Sequence, residues 1–148
     1  MKSGDHFQEF VLPVERGKIR EFSRAIHSSN PLYRDEAVAR TAGFPDVIAP
    51  PTFSATELHW IPYSLVDALG IDLKRLLAGG CEWEYRRPLV AGEELRVESS
   101  IIDVTEKDGK SGTMTFIVRE SRFIDKSGAV AQIARSTMIV MPEREAVR

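Results

Sequence analysis

Apolar and polar positions divide this chain into two parts, with the change near Gly79. Before it, apolar residues recur at helical spacing in short, interrupted segments. After it, they fall on every second position. Residues 6–12 read as a first strand closed by Pro13. Residues 15–26 read as a helix, because Ile19, Phe22 and Ile26 fall at i, i+3 and i+7 and share one face. Asn30-Pro31 interrupts the pattern, since the residue before a proline avoids the α region. Residues 34–42 form a second short helix, with Gly43 as its stop and Pro45 just beyond. Pro50 and Pro51 cannot stand inside a helix but can precede one, and Thr52 can cap it. A helix is therefore expected over 53–61, ending before Pro62. Its small front, Ser54-Ala55-Thr56, suits a helix closely wrapped by other structure. Residues 65–77 are expected to be helical in pieces, broken at Gly70.

From Gly79 the period is two. Cys81, Trp83 and Tyr85 alternate with Glu82, Glu84 and Arg86, and Cys81 reads as a small buried residue. Ala91-Gly92-Glu93 turns the chain. Long strands are expected over 95–106, 113–124 and 129–141. Lys107-Asp108-Gly109-Lys110 and Asp125-Lys126-Ser127-Gly128 are the hairpin turns between them. A strand of about 12 residues spans roughly 40 Å. Strands that long twist and curve, so they need something to wrap around, and the helix near Thr52 is the candidate. The expectation is an α+β fold: a long curved antiparallel sheet around a central helix, with extra helices near the N-terminus. The length fits a single domain over 1–148, with a core over 6–141 and a solvated tail over 142–148.

Composition narrows the partners. Hydrophobic residues at 43% and charged residues at 28% describe a folded globular chain and argue against disorder. Lys+Arg number 20 against 22 Asp+Glu, a net charge of −2, which excludes a strongly basic nucleic-acid binder. Cys81 is the single cysteine, so neither a disulfide framework nor a cysteine-rich metal site is expected. His6, His27 and His59 lack metal-ligand spacing. No apolar run approaches a membrane span and the start has no apolar leader-like stretch, so a cytoplasmic, membrane-free protein is expected.

Four segments carry a resemblance. Phe22-Ser23-Arg24-Ala25-Ile26-His27-Ser28-Ser29-Asn30-Pro31-Leu32-Tyr33 resembles the hydratase signature, roughly F-A-x-x-[ST]-G-D-x-N-P-[LI]-H, of MaoC-like (R)-specific enoyl-thioester hydratases and 3-hydroxyacyl dehydratases. The others are Val47-Ile48-Ala49-Pro50-Pro51-Thr52-Phe53, Glu84 through Glu93, and Gly112 through Phe116 with Ala134-Arg135-Ser136-Thr137. The resemblance implies a single hotdog fold. Its likeness is greatest to the FAS1-like dehydratase, or MaoC N-terminal-half, branch, which includes partner subunits of heterodimeric 3-hydroxyacyl-ACP dehydratases.

Dehydration of a 3-hydroxyacyl thioester needs a base for the α-proton, an acid for the leaving hydroxyl and a donor to the thioester carbonyl. In the catalytic branch an Asp and a His five residues apart move the protons, and imidazole suits this because it titrates near neutrality. Anchored at Asn30-Pro31, the Asp position falls on Ser28 and the His position on Tyr33. A serine without a base is a poor proton acceptor, and a phenol with pKa about 10 is a poor base. Backbone N–H groups at the helix start normally polarise the carbonyl, yet Pro51 has none. Thr52 and Phe53 remain as donors.

The resemblance therefore implies a chain that shapes the substrate channel while a dyad-bearing hotdog partner performs the chemistry. Asn30, Tyr33, Thr52 and Phe53 are the candidate lining residues, and His27 and Glu57 are weaker catalytic candidates. The expected substrate is a CoA or acyl-carrier-protein phosphopantetheine thioester, with no cofactor and no metal. The expected assembly is a homodimer or a heterodimer with a second hotdog chain. Arg86 and Arg87 are candidate contacts for the carrier's phosphates. Two other readings remain open: a self-sufficient homodimeric enoyl-CoA hydratase or acyl-CoA thioesterase, the latter using Glu57, and an acyl-CoA binding module without chemistry.

Overall fold

The computed structural model of the chain describes residues 3–61, 67 and 70–143. Five strands form one antiparallel sheet: β1 (His6–Pro13), β2 (Leu76–Tyr85), β3 (Glu94–Gly109), β4 (Gly112–Ile124) and β5 (Val130–Val140). Their order across the sheet is β1-β3-β4-β5-β2. Among the described residues, α-helices α1 (Arg16–Ala25) and α2 (Glu36–Thr41) follow β1. Three 3₁₀ segments cover Pro31–Tyr33, Pro51–His59 and Leu73–Arg75.

The antiparallel meander β3-β4-β5 matches the period-two reading. Its first turn is tighter than expected. The β3–β4 ladder runs on to Gly109 opposite Gly112, so residues 107–109 are strand and only Lys110-Ser111 remain as the loop. A two-residue connection satisfies more ladder hydrogen bonds and matches the strand twist. Asp125 closes the second turn, its Oδ1 accepting the N–H groups of Ser127 (2.9 Å) and Ala129 (3.1 Å).

β2 begins at Leu76, three residues before the expected start. Leu76 and Leu77 pair with Val140 and Ile139, so their apolar side chains find strand neighbours rather than a helix face. The Gly79-Gly80 pair, read as a boundary, instead accommodates a register shift between Ala78 and Gly80. A Cβ on Gly79 would lie 3.0 Å from Thr137 Cγ2, so a side chain there would press on the residues of β5. Of the helical pieces expected over 65–77, Leu73–Arg75 is a 3₁₀ turn capped by Asp72, and residues 62–66, 68 and 69 lie outside the described residues.

The central segment is also corrected. It is a nine-residue 3₁₀ helix starting at Pro51, not an α-helix over 53–61. Phe53, Ser54, Thr56 and Glu57 are all buried, which leaves no single apolar stripe for an α-helix to present. The narrower 3₁₀ coil, with three residues per turn, serves a segment buried on several sides.

The core lies beneath this segment. Leu12, Ile19, Phe53, Leu95, Val97 and Phe123 are each fully buried in one cluster. The Phe53 ring meets the Phe22 ring edge to face at 5.8 Å, which ties α1 to the central segment. Burying a side chain the size of Phe53 contributes about 1.5–3 kcal/mol. Along β3, Leu95, Val97, Ser99 and Ile101 point inward at alternate positions. By contrast, β2 is an edge strand with a largely exposed face. Cys81, expected to be buried, is exposed there, on the wall of an open cavity beside the central segment. No helix among the described residues is long and apolar enough to cross a membrane.

Candidate functional site

The motif loop is held by the end of α1. Its N–H groups make a reciprocal cap: His27 donates to Arg24 O (3.0 Å) and Ser28 to Ser23 O (2.9 Å). This cap demands a left-handed residue after the helix, and His27 takes that conformation at φ 55°. The resembling motif has glycine at this place. His27 is exposed, so this weaker catalytic candidate acts as a helix terminator turned to solvent.

From there the loop is built by its own polar groups. Ser28 Oγ accepts the Asn30 N–H at 3.3 Å. Asn30 Oδ1 accepts the Leu32 N–H at 3.0 Å and caps the 3₁₀ turn Pro31–Tyr33. The Leu32 carbonyl accepts the Ile48 N–H at 3.0 Å, which fastens the loop to the segment leading into Pro50-Pro51. Tyr33 is half-buried and packs on the core cluster that contains Phe53. The Leu32–Ile48 bond and the packing of Tyr33 on the core tie this loop to the segment leading into the central 3₁₀ helix.

That start offers little to an oxyanion. Pro50 and Pro51 carry no N–H. The Phe53 N–H is taken by Pro50 O at 2.9 Å. Thr52, half-buried in the first turn, keeps an N–H with no partner inside the helix. Phe53 is corrected from a lining residue to a core residue, because its side chain is 0% exposed and its N–H is already bonded.

Glu57 belongs to a separate buried arrangement. Its Oε1 accepts from Arg119 Nη2 and from Ser121 Oγ (3.3 Å), and Ser121 Oγ lies 2.9 Å from Ser99 Oγ. Glu57 and Arg119 side chains are 4% and 8% exposed. Burial pushes the Glu57 carboxyl above its ordinary range, against the pull of Arg119 and Ser121. Only Oε1 is held; Oε2 is buried without a hydrogen-bond partner among the described residues. Sequence reasoning missed Arg119, whose partner Glu57 lies 62 residues away on the central segment.

Glu57 and Arg119 line a cavity of about 600 Å³ between the central segment and strands β2, β4 and β5. Leu58, Leu77, Cys81, Trp83 and Met138 give it a mostly apolar wall. Trp83 Nε1 donates to Ser54 Oγ at 3.1 Å, which fixes the indole against the central segment. Arg86 and Arg87, the candidate phosphate contacts, are already paired: Arg86 with Glu84, and Arg87 with Glu93 (2.7 Å) and Asp125 (3.0 Å). No group of three or more His, Cys, Asp or Glu side chains able to hold a metal occurs among the described residues.

A curved antiparallel sheet around a short central helix, with an Asn-Pro motif loop overhanging its start, defines the MaoC-like hotdog dehydratase class. A family model described as "FAS1-like, dehydratase domain region" matches residues 2–133, and the chain belongs to that family. Relatives called "UPF0336 protein" occur in Saccharopolyspora erythraea (35% identical, 85% of this chain, 80% of the relative) and in Clavibacter michiganensis (36% identical, 86% and 84%). The chain superposes on a "MaoC-like dehydratase" with TM-score 0.83 and 25% identity over 95% of its length. It spans only 42% of that longer chain. It shares its fold with the "HadBC (3R-Hydroxyacyl-ACP Dehydratase) complex from Mycobacterium tuberculosis" at TM-score 0.75 and 22% identity, covering 94% of this chain and 99% of that one.

Proposed function

We propose that the chain is the substrate-shaping, dyad-lacking subunit of an (R)-3-hydroxyacyl thioester dehydratase or enoyl-thioester hydratase, with proton transfer supplied by a hotdog partner. One observation carries this reading. At the motif position for the proton acceptor stands Ser28, whose hydroxyl oxygen accepts the Asn30 N–H, and no His or carboxylate hydrogen-bonds to it among the described residues. A hydroxyl without a base cannot take an α-proton at neutral pH. Tyr33, at the histidine position, is left to line the site together with Asn30 and Thr52.

Two further features support the reading. The apolar cavity under the central segment suits an acyl chain. The exposed edge and face of β2 suit continuation of the sheet by a second hotdog chain, homologous or identical. The substrate is then a CoA or carrier-protein thioester, and the protein acts in the cytoplasm without a resident cofactor.

The test is a complex of this chain with a hotdog subunit bearing an intact Asp/His motif, assayed for hydration of enoyl-CoA substrates. Tyr33→Phe and Ser28→Ala in this chain leave kcat within a few-fold, while loss of the partner's motif histidine abolishes turnover. A loss of 100-fold or more in either variant of this chain, on the order of removing a general acid or base, would put proton transfer here and refute the proposal.

A further inference from the structure

The cleft between α1 and α2 is built from arginines. Arg16, Arg20 and Arg24 follow one another at i, i+4 and i+8 and so share one face of α1. Arg34 and Arg40 line the same cleft, which measures about 910 Å³. On a chain with a net charge of −2, this is a local concentration of positive charge.

Its two lining carboxylates, Asp35 and Glu36, are already engaged. Asp35 Oδ1 accepts the N–H groups of Ala37 (2.9 Å) and Val38 (3.1 Å) as the cap of α2. Glu36 pairs with Arg16 and Arg40, and Asp46 also pairs with Arg16. Arg34 Nη2 donates to the Ser28 carbonyl at 2.6 Å. Among the described residues, Arg20 and Arg24 form no ion pair, and both are exposed. Arg86 and Arg87 differ in that their charges are consumed by Glu84, Glu93 and Asp125.

Unpaired guanidinium groups in a concave site focus a positive field and match phosphate oxygens with paired N–H donors. The cleft has the volume of a small-ligand site, which favours a nucleotide over the convex face of a carrier protein. Ser28 and Pro31 also line it, so it borders the motif loop. We infer that the α1–α2 cleft receives the phosphorylated adenosine end of a coenzyme A thioester, with Arg20 and Arg24 as the phosphate contacts. The inference rests on the thioester reading for its biological ligand, while nucleotide binding itself is measurable on the chain alone.

The experiment is calorimetric titration of the purified chain with adenosine 3′,5′-bisphosphate, with adenosine as the uncharged control. Expected are binding of the bisphosphate, no binding of adenosine, and weakening on added salt. Arg20→Ala/Arg24→Ala should lose about tenfold or more in affinity, as removal of charge-assisted contacts implies. Arg86→Ala should lose none. Circular dichroism establishes that the double variant is folded, and Arg20→Lys/Arg24→Lys, which keeps the charge, should retain part of the binding. Absence of bisphosphate binding, or equal binding by Arg20→Ala/Arg24→Ala, overturns the inference. So does Arg20- and Arg24-dependent capture of a phosphopantetheinylated carrier protein when the bisphosphate does not bind. Failed hydration by the partnered complex with intact bisphosphate binding would refute the dehydratase reading and leave the cleft assignment standing. Active hydration without bisphosphate binding would do the reverse.

Discussion

His27 pays for its place at the end of α1. A left-handed backbone costs a residue with a Cβ about 1–2 kcal/mol, and glycine escapes most of it. At φ 55° on an exposed site, His27 makes a cap that the resembling motif gives to glycine. His27→Gly should therefore raise stability by about 0.5–1 kcal/mol, net of the extra entropy of glycine in the unfolded chain, and thermal melting reads the gain. Asp125 gives a pH test. Hydrogen bonds from Ser127 and Arg87 lower its pKa from 3.8 to about 2. A depressed carboxylate stabilises the fold fully above the unfolded value. That contribution is then lost as pH falls from 3.8 toward about 2. NMR titration should place the Asp125 midpoint near 2, and Asp125→Asn should lack the part of acid destabilisation that belongs to this group. At Glu57, replacement by Gln strips the buried Arg119 of its counter-charge. The expected loss is about 3–5 kcal/mol in urea unfolding. Replacing Glu57 and Arg119 together with apolar residues should cost far less. The Ser28 and Tyr33 substitutions were legible because a local motif fixes their register. The Glu57–Arg119 pair was not, because its partners are brought together only when the sheet curves under the central segment.

At the scale of elements, most of the sheet could be read from alternation alone. β3 and β4 bury every second position over much of their length, a pattern that survives without knowing which strands pair, whereas β5 buries Ala131, Gln132 and Ile133 in succession. The central segment was legible in position but not in type. Pro50-Pro51 marks its start, while its 3₁₀ coil depends on burial from several sides, which a linear pattern does not record. The exposure of Cys81 was illegible for a related reason: alternation separates two faces but does not say which of them is covered. If the cavity beside β2 holds the acyl chain, Ser136→Phe on its wall should act on chain length. Long-chain enoyl-CoA should show a raised KM in the partnered complex, with short-chain turnover nearly unchanged. Steady-state kinetics across acyl lengths checks this.

For the whole molecule, the exposed edge of β2 and the emptied proton-transfer positions point the same way. An edge strand left open in a single chain is a pairing site, and under the proposed function the acid and base come from the partner that pairs there. A net charge of −2 still leaves room for a local positive site, since five arginines line the cleft between α1 and α2, while strand arginines such as Arg96 and Arg135 are paired with Glu98 and Glu120. The account's central claim is that this chain binds and orients a thioester but does not move its protons. The most direct measurement is the rate of crotonyl-CoA hydration by the purified chain alone. The account predicts no turnover above buffer, at any pH where the chain is folded. Turnover near 1–10³ s⁻¹, the range of ordinary enzymes, would contradict it.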